Sequence, residues 1–306
     1  IYHGSTGALT IAGTVTDGVS NVQISGNTAT GNGGGIYVAE GTTTSISTAT
    51  IVGNKATTGN GGGIALKGDT GKFNNSNKEK KATLTINQQT DISGNEANNG
   101  YGGGIYAYCA VVTGNNATIG KSGSGNKAIT GAGICLDSVN NNNTWITELD
   151  LTACSIEYNI ASIHGGGISD NAQRTGDNRW GYRSKTRLTN TNIIGNKAEG
   201  GNGGGLSIIA GQLTVTEGEI KNNTASENGG GAYVTTDQIS GNAQQKIEKR
   251  HNAEFSGTSF TNNTAKMGGG LFTHHICLRD GVEIVENELL TGSDPSNGAG
   301  VYVNSS

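Results

Sequence analysis

Two sets of side chains in this 306-residue chain have the types and spacing for recognition chemistry. The first is compact: Arg174, Arg179, Trp180, Tyr182 and Arg183 fall in one polar stretch. Flat aromatic faces beside guanidinium donors are the residue types enriched at binding hot spots. Such a set is suited to stacking a sugar ring or holding a carboxylate. The plainer alternative is that Trp180 folds back over an apolar patch. The second set is dispersed: Tyr37, Tyr106, Tyr233, Phe272 and Tyr302 each follow a glycine-rich triplet and one aliphatic residue. Ala65, Cys135, Ser169 and Ser207 hold the same position in other copies. A row of aromatics there would form either a platform for glycan or protein or a cross-strand stack that stabilises a sheet.

Catalytic chemistry is the rival use. A glycosidase needs two carboxylates roughly 5–10 Å apart. Asp137 and Asp170 come at nearly the same station of consecutive copies, but Asp137 lies three residues after Ile134 and Asp170 two after Ile168. That offset sends one of them inward or into a turn. A lyase base could come from Arg174, Arg179, Arg183 or Lys185, near Asp170 and Asp177. No aligned Asp/Lys/Arg patch runs along a strand face, however, and His164, His274 and His275 read as surface or turn residues. No catalytic residue is therefore assigned.

The elements that must position these residues are set by a repeat. An apolar β-former is followed three residues later by Asn, then by Ala two residues on, then by Gly-Gly-Gly and an aliphatic residue. One copy runs from Ile24 through Asn27 and Ala29 to Gly33-Gly-Gly-Ile36; others are built on Asn54, Asn95, Asn159, Asn196, Asn223 and Asn263, with worn copies at Asn126 and Asn287. The intervals between these asparagines are 27, 41, 31, 33, 37, 27, 40 and 24 residues. A recurring period of this kind sets the architecture before any single residue does. The shortest copies hold three short β-like segments, such as Leu213–Thr216, Glu219–Lys221 and Ala232–Val234, and no helical period. Turns too short for crossover helices exclude a βαβ sheet. We expect an all-β, right-handed parallel β-helix with three strands per coil and about nine to ten coils. Rungs would then lie about 4.8 Å apart, with right-handed winding favoured by strand twist.

The repeat residues suit such a coil. Alternating aliphatics such as Ile36 and Val38 point inward, and the alanines suit a tight corner. The triple glycine allows positive φ and close backbone approach. Asn27, Asn54, Asn95, Asn126, Asn159, Asn196, Asn223 and Asn263 are expected to stack as an amide ladder, bonding from coil to coil.

Phe260-Thr-Asn-Asn263-Thr-Ala265 followed by Gly268-Gly-Gly-Leu271 resembles the paired FxxN and GGA[ILV] motifs of the chlamydial polymorphic outer-membrane proteins. Adhesin-like surface proteins of gut bacteria and methanogens are similar. The resemblance extends from about Ile24 to Val303. It implies a right-handed β-helix exported to a cell surface, with adhesion as its usual role. Most copies here carry Ile instead of Phe and GGG instead of GGA.

Long intervals arise from insertions near 67–81, 137–143, 170–185 and 235–252, each beginning just after the glycine-led strand. In a solenoid, insertions at equivalent positions emerge along one edge, where binding is often carried. The four cysteines, Cys109, Cys135, Cys154 and Cys277, contain no CxxC pair, and isolated thiols are the preferred reading over disulfides. We expect no metal and no cofactor, since the turns lack the Asp of calcium-binding nonapeptides.

With a net charge of −4 and 14% charged residues, the chain has no footprint for nucleic acid. It also holds no apolar run of the ~20 residues a membrane helix needs. Uncapped ends are expected to mean a piece of a longer protein or end-to-end self-association. We read residues 1–306 as one β-helical domain: a noncatalytic adhesin or stalk, extracellular or on a cell surface, with a host or cell-surface glycan or protein as partner. The alternatives are a carbohydrate-active enzyme and a self-associating structural fibre unit.

Overall fold

A computed structural model describes residues 1–4, 7–16, 19–68, 81–138, 147–170, 184–209, 211–235 and 253–304. Each coil of the chain returns in the same direction as the last. Strands therefore pair in parallel with their copies one coil away and stack into long sheets; the one exception among the described residues is the short antiparallel pair Val15–Thr16 and Val19–Ser20 near the N-terminus. The result is a right-handed parallel β-helix.

Four sheets run along it. A ten-stranded sheet collects the strands after the glycine triplets, such as Leu206–Ile208. A nine-stranded sheet holds the longest strands, such as Gln212–Thr216. A second nine-stranded sheet holds the Ile-x-x-Asn strands, such as Asn192–Ile194. The fourth, also of nine strands, is made of segments such as Lys197–Ala198. We refer to these as the glycine, long-strand, asparagine and alanine sheets.

The expected three strands per coil thus become four. The alanine segment was read as a corner, but its backbone stays extended for two residues and pairs on both sides, as Ala56 does with Ala29 and Ala97. Alanine's small side chain lets this edge close tightly. Ala97, Ala128, Ala132 and Ala161 pack as one small cluster, and Ala198, Ala225 and Ala265 as another, both separate from the main core.

The main core is built from columns of identical side chains. Ile24, Ile51, Ile92, Ile119, Ile156, Ile193, Ile220 and Phe260 lie in successive register positions of the asparagine sheet, and all are buried. Each such side chain contributes roughly 1.5–3 kcal/mol on burial. Phe260 meets Phe255 edge-to-face at 5.1 Å. In the long-strand sheet, strands such as Ala82–Asn87 alternate buried and half-buried residues, as a sheet with one wet face must.

The recurring asparagines run as one continuous column from Asn27 to Asn287. Each amide nitrogen donates to the Oδ1 of the next coil at 2.8–3.1 Å. The backbone N–H of the same residue donates to that Oδ1 at 2.9–3.1 Å. The second amide hydrogen reaches back to the apolar residue's carbonyl in the preceding coil, as Asn159 does to Ile119 at 2.9 Å. From Asn54 to Asn263 the residues of this column are fully buried. With two donors and an acceptor that takes two bonds, the amide is satisfied without water.

The residue before most of these asparagines turns the corner between two sheets in the left-handed region. Gly26, Gly53, Gly94 and Gly195 do so at φ 63–66°, and Asn222 and Asn262 at 55–56°. Glycine and asparagine are the residues that tolerate this conformation. Glycine at the third position of the triplet has a different cause. A Cβ on Gly63 would lie 2.7 Å from the Gly104 carbonyl oxygen and 3.1 Å from the Asn95 amide, so coil spacing itself excludes a side chain.

Four of the undescribed segments, 69–80, 139–146, 171–183 and 236–252, each join the C-terminal end of a glycine-sheet strand to a long-strand-sheet strand. The described residues that flank them line one edge of the helix. The cysteines are thiols, with Cys109, Cys135 and Cys154 buried and Cys277 half-buried.

Candidate functional site

The dispersed aromatics fall in one register column on the glycine sheet. Tyr37, Ala65, Tyr106, Cys135, Ser169, Ser207, Tyr233, Phe272 and Tyr302 are successive cross-strand partners, and Tyr2 extends the row. Where two rings are neighbours in the column they stack, whereas Tyr106 lies between Ala65 and Cys135. Tyr2 and Tyr37 lie 5.4 Å apart and nearly parallel, and Phe272 is covered on one face by Tyr233 at 5.0 Å and on the other by Tyr302 at 5.2 Å.

Little of this column reaches solvent in the middle of the helix. Tyr106 is 7% and Phe272 4% exposed, while Tyr37, Tyr233 and Tyr302 are half-buried. Part of the reason is local. The first glycine of each triplet folds back beside the column, so that a Cβ on Gly165 would lie 2.5 Å from the Ser169 Cβ. Burial raises the tyrosine hydroxyl pKa at Tyr37, and more strongly at Tyr106, where the carboxylate of Asp137 adds to it.

Arg174, Arg179, Trp180, Tyr182 and Arg183 lie outside the described residues. The carboxylates weighed for glycosidic chemistry do not meet as an exposed pair. Asp170 is opposite Leu136 in the sheet, at a core position, and is 1% exposed. Its carboxylate accepts the Ile209 N–H at 2.6 Å and the Ser184 hydroxyl at 3.2 Å. Asp137 sits one residue further along and accepts the Tyr106 hydroxyl at 2.8 Å and the Ser138 N–H at 2.8 Å.

The histidines are less peripheral than expected. His274 is buried beside Phe272, with its Nδ1 3.3 Å from the Thr235 hydroxyl. His164 is half-buried and accepts the Asn202 N–H on Nδ1 at 3.0 Å, and burial lowers its pKa. Among the described residues no group of three or more His, Cys, Asp or Glu side chains is placed to hold a metal ion. No helix among them is long and apolar enough to cross a membrane, which leaves β-barrels unaddressed.

A concavity lies over the alanine sheet, at residues the sequence did not single out for binding. A groove of about 520 Å³ opens there, and a second of about 230 Å³ continues it. They share Glu96, Lys127 and Ile160 as floor. One wall is the loop at Gly123–Gly125, the other the ring of Tyr158. The loop exists because Ile119 and Asn126 are seven residues apart, whereas other copies keep three. The sequence signal was that lengthened interval, together with a tyrosine where most other coils place Gly or Asn.

Comparison with known families adds one finding. Residues 21–39 match the Chlamydia polymorphic membrane protein (Chlamydia_PMP) repeat. The matched stretch contains Ile24, Asn27, Ala29, the triplet Gly33 to Gly35 and Ile36, which are the residues that build one rung. The resemblance to chlamydial polymorphic membrane proteins therefore holds at this repeat, and the Chlamydia_PMP signature corresponds to core, ladder and corner positions. Comparison with curated proteins and with solved structures finds no match.

Proposed function

We propose that this chain is a noncatalytic adhesin or stalk segment of a cell-surface protein, and that it binds a glycan or protein along the edge where its long segments leave the helix. The observation that most supports this reading is the geometry of that edge. Four segments of eight to seventeen residues join the same two sheets, on consecutive or nearly consecutive coils of a stiff scaffold. Loops displayed by a rigid framework are where binding residues concentrate. The Chlamydia_PMP repeat, by its name that of a membrane protein, favours a surface location.

Within this reading Arg174, Arg179, Trp180, Tyr182 and Arg183 are the contact residues. The aromatic column, with Tyr37, Tyr106, Tyr233, Phe272 and Tyr302, serves as a ring stack that stiffens the helix and lends only its half-buried edges to a partner. Adherence of beads coated with the purified chain to cultured epithelial cells tests the proposal. Coated beads should adhere well above albumin-coated ones, and replacing residues 171–183 by a short Gly-Ser linker should remove most of the gain. Adherence equal to the albumin control would refute it.

A further inference from the structure

Three irregularities fall at or beside the groove over the alanine sheet, and Tyr158 is the one that lines it. The first is Tyr158, a bulky residue held at φ 53° on a corner where most other coils use glycine or asparagine. Backbone strain of this kind concentrates at functional sites. The second is exposure. Away from the terminal rungs, the only large hydrophobic side chains strongly exposed among the described residues are Tyr158 at 39% and Ile163 at 41%, both on this coil. The third is a register break in the alanine sheet, where Ala128 pairs with Ala161 but Thr130 pairs with His164. Bulges are frequent beside binding and active sites, where they re-aim side chains.

The lining has a definite chemistry. The Tyr158 ring lies on Gly195 of the next coil, where a Cβ would sit 2.7 Å from its Cε1. Glu96 is tied to Lys55 at 3.3 Å and Lys197 to Glu199 at 3.1 Å. Lys127, between them on the floor, has no ion-pair partner among the described residues. The volume of about 520 Å³ is that of a small-ligand site. One aromatic ring, the Lys127 ammonium opposite Glu96 and a floor that mixes Ile160 with charged side chains suit a sugar ring with a carboxylate.

We infer that this groove is a binding site for an acidic saccharide of the hexuronate class. Tyr158 stacks against the sugar's C–H face, and Lys127 pairs with its carboxylate. The choice of a saccharide rests on the reading of the chain as a surface binding protein; the groove itself does not.

The test is calorimetric titration of the full chain with a galacturonic acid trimer and with its methyl ester. The acid should bind, and the ester should bind at least about tenfold more weakly. Tyr158→Gly and Tyr158→Asn should weaken the acid at least about tenfold, yet leave the thermal midpoint unchanged or raised, because those residues fit the corner without strain. Lys127→Gln should lower the acid to the affinity of the ester. No heat from the acid at millimolar concentration, or binding indifferent to both Tyr158 variants, would overturn the inference. Bead adherence measured on the same variants separates the two readings: adherence that survives with this site lost leaves the adhesin proposal standing, and saccharide binding without adherence does the reverse.

Discussion

Replacing Asn159 by alanine should be far more damaging than its small change in volume implies. Its amide oxygen accepts the Asn126 N–H at 3.1 Å and the Asn126 amide at 2.9 Å. Its amide nitrogen donates to the Ile119 carbonyl at 2.9 Å and to the Asn196 oxygen at 2.9 Å. Alanine leaves two donors on Asn126 unsatisfied in a site closed to water, while the Ile119 carbonyl loses one bond and keeps its place in the parallel ladder. At about 1–3 kcal/mol for each of the two orphaned donors, the loss falls between about 2 and 6 kcal/mol. That is a large part of the about 5–15 kcal/mol that holds a typical domain.

Asn27 provides the internal control. It is exposed, and its side chain makes one contact in the column, to the Asn54 oxygen, so Asn27→Ala should cost less than about 1 kcal/mol. Asn159→Asp should exceed the alanine loss at neutral pH, since a carboxylate would face the Ile119 carbonyl and the Asn196 oxygen with nothing to donate. Urea unfolding followed by far-UV circular dichroism measures all three, and amide exchange at Asn126 localises the damage. A loss for Asn159→Ala equal to that for Asn27→Ala would refute the view that the buried amides hold the coils in register.

Further outcomes follow from the same geometry. Gly63→Ala should destabilise by about 1–3 kcal/mol, because its methyl would meet the Gly104 carbonyl oxygen at 2.7 Å; thermal melting reads this directly. Phe272→Ala should cost about 3–5 kcal/mol by emptying the space between two stacked rings, and denaturant midpoints compared with Tyr37→Ala, at the half-buried end of the column, will show the difference. Burial lowers the His164 pKa in the folded chain. The unfolded chain therefore takes up the proton first, so this residue's contribution is intact above about pH 6.5 and declines as pH falls below it. Urea midpoints measured down the acid range should show a drop that His164→Gln lessens.

Much of the fold was legible because its signals are local and recur. Ile24, Asn27 and the Gly33 triplet each state a conformational requirement that the next copy repeats, so periodicity alone identifies the stacked partners. The column of Tyr37, Tyr106 and Phe272 was legible for the same reason: one residue past the glycine-led aliphatic is one fixed direction in every coil. The alanine sheet was missed because two extended residues leave no alternation to detect. The Asp137–Asp170 pair was half-legible: the offset implied that one of the two turns inward or into a turn, but neither which one nor the Ser184 and Ile209 partners that make burial of Asp170 tolerable. Tyr158 was missed because its oddness is conformational. Only once the corner before most of the asparagines is known to be left-handed does a tyrosine there stand out.

By itself, then, the sequence determined the rung: its period, its ladder residue, its glycine corner and the side chains that stack along the axis. Parallel stacking converts equal spacing in sequence into contact in space, so no further information is needed. The tertiary structure alone decided how exposed each outer face is and where a cavity opens. The groove needs the loop before Asn126 and the Tyr158 corner to meet from neighbouring coils, and burial around Tyr106 depends on neighbours above and below it. Such properties belong to the sum of many unequal coils, and a repeat unit contains no record of that sum.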